Sequence, residues 1–203
     1  MFKNINLKIL TKIGIIKTGI ILSFLAVAIA GVTPSYAKIN PNSKTTSNRL
    51  IVERSSTSAP LGFQIFCLKN PSECKSSSSK KIAYSSQLMR VLSQVNRKVN
   101  RSIRPRNDRG RDIWTLNARV GDCEEYILAK RSKLIKMGVS SGALRIATAT
   151  TRRGVGHAVL IVRTDKGDFV LDNRTNTIKP WNKTDLRWVA ISGSNPKKWR
   201  KIG

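Results

Sequence analysis

Val120-Gly121-Asp122-Cys123-Glu124-Glu125-Tyr126 is the stretch on which the reading of the fold turns. Aspartate is a preferred helix N-cap, and Glu125 stands three positions after Asp122, as in a capping box. Cys123 is therefore expected as the first residue inside a helix that runs to about Met137, with Gly138 as its stop. Tyr126, Ile127, Leu134 and Met137 fall on the same side of that helix as Cys123. A thiol at this place faces unpaired amides and the positive end of the helix dipole. Both favour the thiolate, which is the nucleophile.

Beyond Gly138 the apolar period changes from helix to strand. Leu144 to Thr151, Ala158 to Thr164 and Phe169 to Leu171 are β-branched or apolar runs. They are separated by the turns Arg152-Arg-Gly-Val-Gly156 and Asp165-Lys-Gly167, and Trp188 to Ser192 reads as one more strand. His157, the chain's one histidine, opens the second run, and Asp172 closes the third. A hairpin centred near Lys166 leaves His157 about nine residues back and Asp172 about six forward, an offset that calls for a bulge or a longer loop.

Upstream, Leu88, Val91, Leu92, Val95 and Val99 recur at helical steps from Ser86, and that helix is expected to end near Pro105. Arg104 to Arg111 reads as a basic loop, and Leu61 to Leu68 as a short apolar and aromatic patch. Helices first and then an antiparallel meander make the expected class α+β. Lys38 to about Ala59 is polar, without apolar periodicity, and reads as a flexible linker. Before it, Lys3, Lys8, Lys12 and Lys17 precede the apolar run Gly19 to Gly31 and the small residues Ser35 and Ala37. This is the pattern of a secretory signal covering residues 1–37. A retained anchor is its rival, but the run falls short of the roughly 20 residues of a bilayer span. The domains are thus read as signal 1–37, linker 38–59 and one globular domain 60–203.

Cleavage after Ala37 removes 37 of 203 residues and leaves 166, while loss of four lysines takes the formal charge from +27 to about +23. So basic a chain favours contact with an anionic envelope surface. The cations are scattered rather than clustered, so no specific nucleic-acid site is expected. Export implies an oxidising compartment, and three cysteines leave at least one thiol over. Cys67 and Cys74 flank an Asn70-Pro71 turn and can close a short disulfide loop, which makes Cys123 the free one. One histidine with these cysteines does not supply four well-spaced zinc ligands.

A cysteine attacks a carbonyl, an imidazole takes and returns protons, and a carboxylate fixes the imidazole's tautomer. Cys123, His157 and Asp172 supply these three types. Gly121-Asp-Cys-Glu-Glu-Tyr126, then Lys130-Arg131 and Leu134, Gly156-His-Ala-Val-Leu160 and Val170-Leu-Asp-Asn173 resemble the bacterial transglutaminase-like cysteine peptidase family. The resemblance spans roughly Leu61 to the C-terminus. It takes in Phe66-Cys67, Glu73-Cys74, Trp114 and Asn195-Pro-Lys-Lys-Trp199. It implies a papain/transglutaminase-like fold with Cys123 as nucleophile, His157 as general base and acid, and Asp172 as orienter. Well-understood members are periplasmic, calcium-dependent proteases that cut large adhesins. In them the acids flanking the nucleophile bind calcium, and these match Asp122, Glu124 and Glu125 here. The segment Trp114-Thr-Leu-Asn-Ala-Arg-Val120 departs from those proteases, which carry proline and acids after the tryptophan. The expected function is an exported thiol peptidase acting on a protein substrate of the cell surface or envelope, with calcium as the one cofactor to be tested. Transglutaminase-type acyl transfer and a non-catalytic, basic envelope-binding protein are the alternatives.

Overall fold

The computed structural model describes residues 49–203 apart from 109 and 111. The expected signal at residues 1–37 and the first part of the expected linker, 38–48, lie outside the described residues.

The sheet is built around a regular hairpin. β5 (Gly156–Thr164) and β6 (Gly167–Leu171) pair antiparallel from Leu160↔Leu171 to Thr164↔Gly167 without interruption. Asp165 and Lys166 make the turn. Gly167 has φ +136°, and a Cβ there would meet the Arg49 carbonyl at 2.8 Å, so glycine is required on two counts. The expected bulge between His157 and Asp172 is absent. The offset in this register is two residues, and side-chain length spans it.

β4 (Leu144–Thr150) lies on the other side of β5, followed outward by β8 (Arg187–Ser192), β9 (Trp199–Ile202) and β1 (Glu53–Thr57). The short β7 (Lys179–Pro180) caps the far edge beside β6, completing a seven-stranded antiparallel sheet. Alternation along the central strands sends apolar side chains to both faces. Leu144, Ile146, Ala158, Leu160 and Val162 meet the helices. Ala147, Ala149, Val159 and Ile161 join Ile51, Val170 and Ile191 on the other face.

Among the described residues three helices cover the first face. α1 (Leu61–Lys69) delivers Phe63 and Phe66. α2 (Ser86–Ser102), capped by the Ser85 hydroxyl accepting the Leu88 amide, delivers Leu92, Val95 and Val99. α3 (Cys123–Lys136) delivers Tyr126, Ile127 and Leu134. A short parallel pair, β2 (Arg104–Pro105) and β3 (Val120–Gly121), ties the end of α2 to the entry of α3. The Cys67–Cys74 disulfide expected from the sequence is present, with Cα atoms 5.6 Å apart.

Residues 53–57 correct the sequence reading, which assigned them to the linker. They form edge strand β1, paired with β9. Polar Glu53-Arg-Ser-Ser-Thr57 is a strand because ions hold it: Arg145 and Arg163 both reach Glu53, and Arg163 forks onto Asp168 at 2.9 Å. Asp168 also accepts the Ile51 amide at 2.7 Å. Asp168 is 1% exposed, so removing its carboxylate breaks the Arg163 fork in the interior and leaves that guanidinium with Glu53 and the Ile51 carbonyl. We expect Asp168→Ala to lose about 3–5 kcal/mol of stability in urea unfolding, the cost of breaking a buried pair on one side. A loss below about 1 kcal/mol would mean that the ions do not anchor the strand.

Candidate active site

The first turn of α3 is assembled as its sequence suggests. Glu125, at the third helical position, accepts the Asp122 amide at 3.1 Å with one oxygen and the Thr115 amide at 2.9 Å with the other. A Cβ on Gly121 would come within 2.6 Å of that carboxylate, which explains the glycine before Asp122. Glu125 is thereby committed to the cap and to the chain after Trp114. Of the three acids expected as calcium ligands, Asp122 and Glu124 remain beside the thiol, with ligand atoms of Asp122, Cys123 and Glu124 within 4.8 Å of one another.

Cys123 is half-buried and is the one free cysteine among the described residues. Its thiol donates to Glu124 Oε2 at 3.1 Å. Burial and then the Glu124 carboxylate push the thiol far above its usual range, while the backbone amide of Ala158 pulls it down. That amide puts Cys123 at the opening of β5, one residue from His157. The carboxyls themselves are crowded. Burial, reinforced by Asp122, raises Glu124 to about 8. Asp122 stays below its usual range although burial opposes this, because hydrogen bonds with Glu124 and the Asp108 amide favour its charged form. Two carboxyls sharing one proton beside a thiol form a set of hard oxygen donors of the kind calcium takes.

His157 Nε2 lies 2.9 Å from Asp172 Oδ1, and both residues are buried. Nδ1 is then the ring nitrogen left for proton traffic. Arg174 grips Asp172 Oδ2 with Nε at 3.0 Å and Nη2 at 2.9 Å, and its own amide donates to Oδ1 at 2.9 Å. Burial pushes the Asp172 carboxyl up. The hydrogen bonds from His157 and Arg174 more than offset this and hold it well below the usual carboxylate range.

Residues 53–203 match the model of a family described as bacterial transglutaminase-like cysteine proteinase, BTLCP. The chain belongs to that family. Its mixed architecture, helices on one face of an antiparallel sheet, is the expected α+β, transglutaminase-like fold. No curated protein matches the chain. Among solved structures it is similar to LapG of Legionella pneumophila. The calcium-bound form is 25% identical, with 51% of this chain and 64% of that one covered and a TM-score of 0.47. A second LapG structure is 26% identical over 57% and 69% of the two chains, with a TM-score of 0.49. The EGTA-treated form is 24% identical over 57% and 71%, again with a TM-score of 0.49. The chain thus spans 64% of the calcium-bound relative's length. Among the described residues no helix is long and apolar enough to cross a membrane.

Two cations that act on Asp172 were given no role in the sequence reading, although Lys130 was quoted there for the resemblance. Arg174 carried a signal, since it stands two positions after Asp172. Lys130 gave a weaker one, as a cation on the apolar side of α3. Lys130 is 0% exposed, and burial drops its ammonium to about 7 while Asp172 pulls it back up. An unfolded lysine titrates near 10.4, so the penalty for burying the charge is full below about pH 7 and fades as pH rises toward 10. Lys130→Met should therefore be more stable than the parent by on the order of 1–4 kcal/mol near pH 7, with the gain shrinking by pH 10. Urea melts at the two pH values measure it, and a gain that grows with pH would refute the assignment.

Proposed function

We propose that this chain is an exported thiol peptidase in which Cys123 attacks, His157 transfers protons and Asp172 orients the imidazole. The observation that carries the reading is the buried 2.9 Å contact between His157 and Asp172 at the strand end against which the α3 thiol sits. Family membership supports peptide-bond hydrolysis, and the basic, apolar and small-residue order of residues 1–37 supports export to the periplasm or beyond.

In this reading the thiol proton passes to His157 Nδ1 as Sγ bonds to the scissile carbonyl carbon. The C–N bond breaks, and the same proton leaves on the departing amine. Water then gives a proton to Nδ1 and cleaves the thioester, which releases the acid and restores the thiol. Asp172, clamped by Arg174, keeps the imidazole in the tautomer with Nε2 protonated and stabilises the imidazolium. The substrate is a protein, of the cell surface or envelope if export holds.

A resting thiol held up by Glu124 is a poor nucleophile, and this favours a cation at the site. Asp122 and Glu124 would hold calcium, whose charge offsets theirs beside the thiol. Glu125 then serves as cap rather than ligand.

Iodoacetamide at neutral pH tests the reading without a known substrate. It should alkylate Cys123, and at least ~10-fold more slowly in His157→Ala, in line with the usual contribution of a positioned base. Cys123→Ala should fold and cleave nothing. An unreactive Cys123, or equal rates in the His157 variant, sinks the triad. EGTA should slow alkylation and added Ca²⁺, not Mg²⁺, should restore it, with Glu124→Gln blunting both effects. Rates indifferent to EGTA leave the carboxyls as a cap and a solvated turn.

A further inference from the structure

One edge of the Arg174 guanidinium holds Asp172, and its other end is held in turn by Asp185. Arg174 Nη2 donates to Asp185 Oδ1 at 2.8 Å and Nη1 to Asp185 Oδ2 at 3.3 Å. The Nε and Nη2 bonds to Asp172 Oδ2 are 3.0 and 2.9 Å long. A planar fork with a carboxylate on two sides has little freedom to turn. Such a network is the exception to the rule that exposed ion pairs contribute little. Asp185 is exposed, yet its backbone is anchored on both sides. Leu186 is buried in the second apolar cluster, and the Thr184 hydroxyl and amide both donate to the Trp181 carbonyl.

The bridge crosses the sheet. Asp172 follows β6 and Asp185 precedes β8, and β4 and β5 lie between those two strands. Ala149 of β4 pairs with His157 on one side and with Trp188 on the other, so the imidazole and the entry of β8 share one row. Arg174 thus ties together the two flanks of the strand ends that carry His157. Charge matters as well. A guanidinium beside Asp172 fixes the carboxylate but also cancels its charge, which weakens the help it gives to an imidazolium. With Asp185 included, two carboxylates surround one cation and the assembly is negative again.

We propose that Asp185 is a positioning residue for the His157–Asp172 pair, acting through Arg174: it holds the guanidinium that immobilises the Asp172 carboxylate, and it returns to the assembly the negative charge that Arg174 takes away. The inference rests on the triad reading above. Asp185 touches neither the thiol nor the imidazole. Its effect passes along hydrogen bonds of 2.8 Å to Arg174, 2.9 Å to Asp172 and 2.9 Å to His157. Both oxygens of Asp172 are occupied in this chain, Oδ1 by the imidazole and the Arg174 amide and Oδ2 by the guanidinium. The carboxylate therefore keeps its orientation only as long as Arg174 keeps its own.

The test uses the untagged chain, whose single histidine gives one set of imidazole signals. The ¹⁵N shifts of His157, the iodoacetamide rate at Cys123 and the melting temperature are compared in the parent, Asp185→Asn, Asp185→Glu and Lys183→Gln, which alters an exposed side chain of the same segment. We expect Asp185→Asn to melt with the parent while the gap between its two ring-nitrogen shifts narrows toward that of a free histidine. Alkylation should slow by about 2–5-fold, the rate equivalent of one ion pair. Asp185→Glu should recover most of both effects, and Lys183→Gln should match the parent. In an Arg174→Gln background, Asp185→Asn should change nothing further, because its influence runs through that guanidinium. Imidazole signals in Asp185→Asn that coincide with the parent's overturn the proposal. So does an equal loss in the Arg174→Gln background, or a lowered melting temperature that Asp185→Glu does not restore, which marks Asp185 as part of the loop alone. Should the parent thiol itself resist alkylation, the triad reading fails, and the imidazole comparison still decides the role of Asp185.

Discussion

Helix α3 packs against strand β5, and the rest of the site hangs on that contact. Tyr126, Ile127 and Leu134 from the helix share one apolar cluster with Ala158, Leu160 and Val162 from the strand. The thiol sits at the first residue of the helix and the imidazole near the first residue of the strand, so the two groups come from the matching ends of two packed elements. Strand β6 then adds the carboxylate by ordinary antiparallel pairing. A site built on rigid elements in this way keeps its geometry without a loop having to close on it.

Charge in this chain is handled in an unusual place. A formal +27 would ordinarily be spread over the surface, yet Lys130, Arg131 and Arg145 are buried, and Arg163 nearly so. Each of the guanidiniums finds carboxylates or carbonyls: Arg131 the carbonyls of Leu144 and Glu73, Arg145 and Arg163 the Glu53 carboxylate. The few acids are concentrated accordingly, at the β1 anchor, around Asp172 and at the α3 cap. The last cluster is the odd one, because its neighbour is a thiol rather than a cation, and the thiol's proton is held more tightly as a result.

Much of this was legible beforehand. The caps, the apolar spacing of α2 and α3 and the runs that became β4, β5, β6 and β8 are local signals, and local physics writes them plainly. β1 was not legible, because an edge strand with both faces partly wet has no alternation to read; its order comes from Arg145 and Arg163, some 90 and 110 residues away. α1 reads as an apolar patch because it is apolar on nearly every side. The His157–Asp172 offset seemed to need a bulge because residue counting ignores side-chain reach. Lys130 was quoted for the resemblance but given no role, because lysine is almost never fully buried and helical spacing alone does not show that one is.

The pairing of β1 with β9 sets the order in which the molecule can be completed. Among the described residues the strand at 53–57 has one neighbour in the sheet, β9, so this pairing waits until residues 199–202 have been made. Every other strand pair joins segments much nearer in the chain. Synthesis therefore passes through residues 58–198 with β1 idle, and β9 closes this edge of the sheet. Such a topology postpones closure of the sheet until β9 has emerged, whatever the helices and the central hairpin have already done.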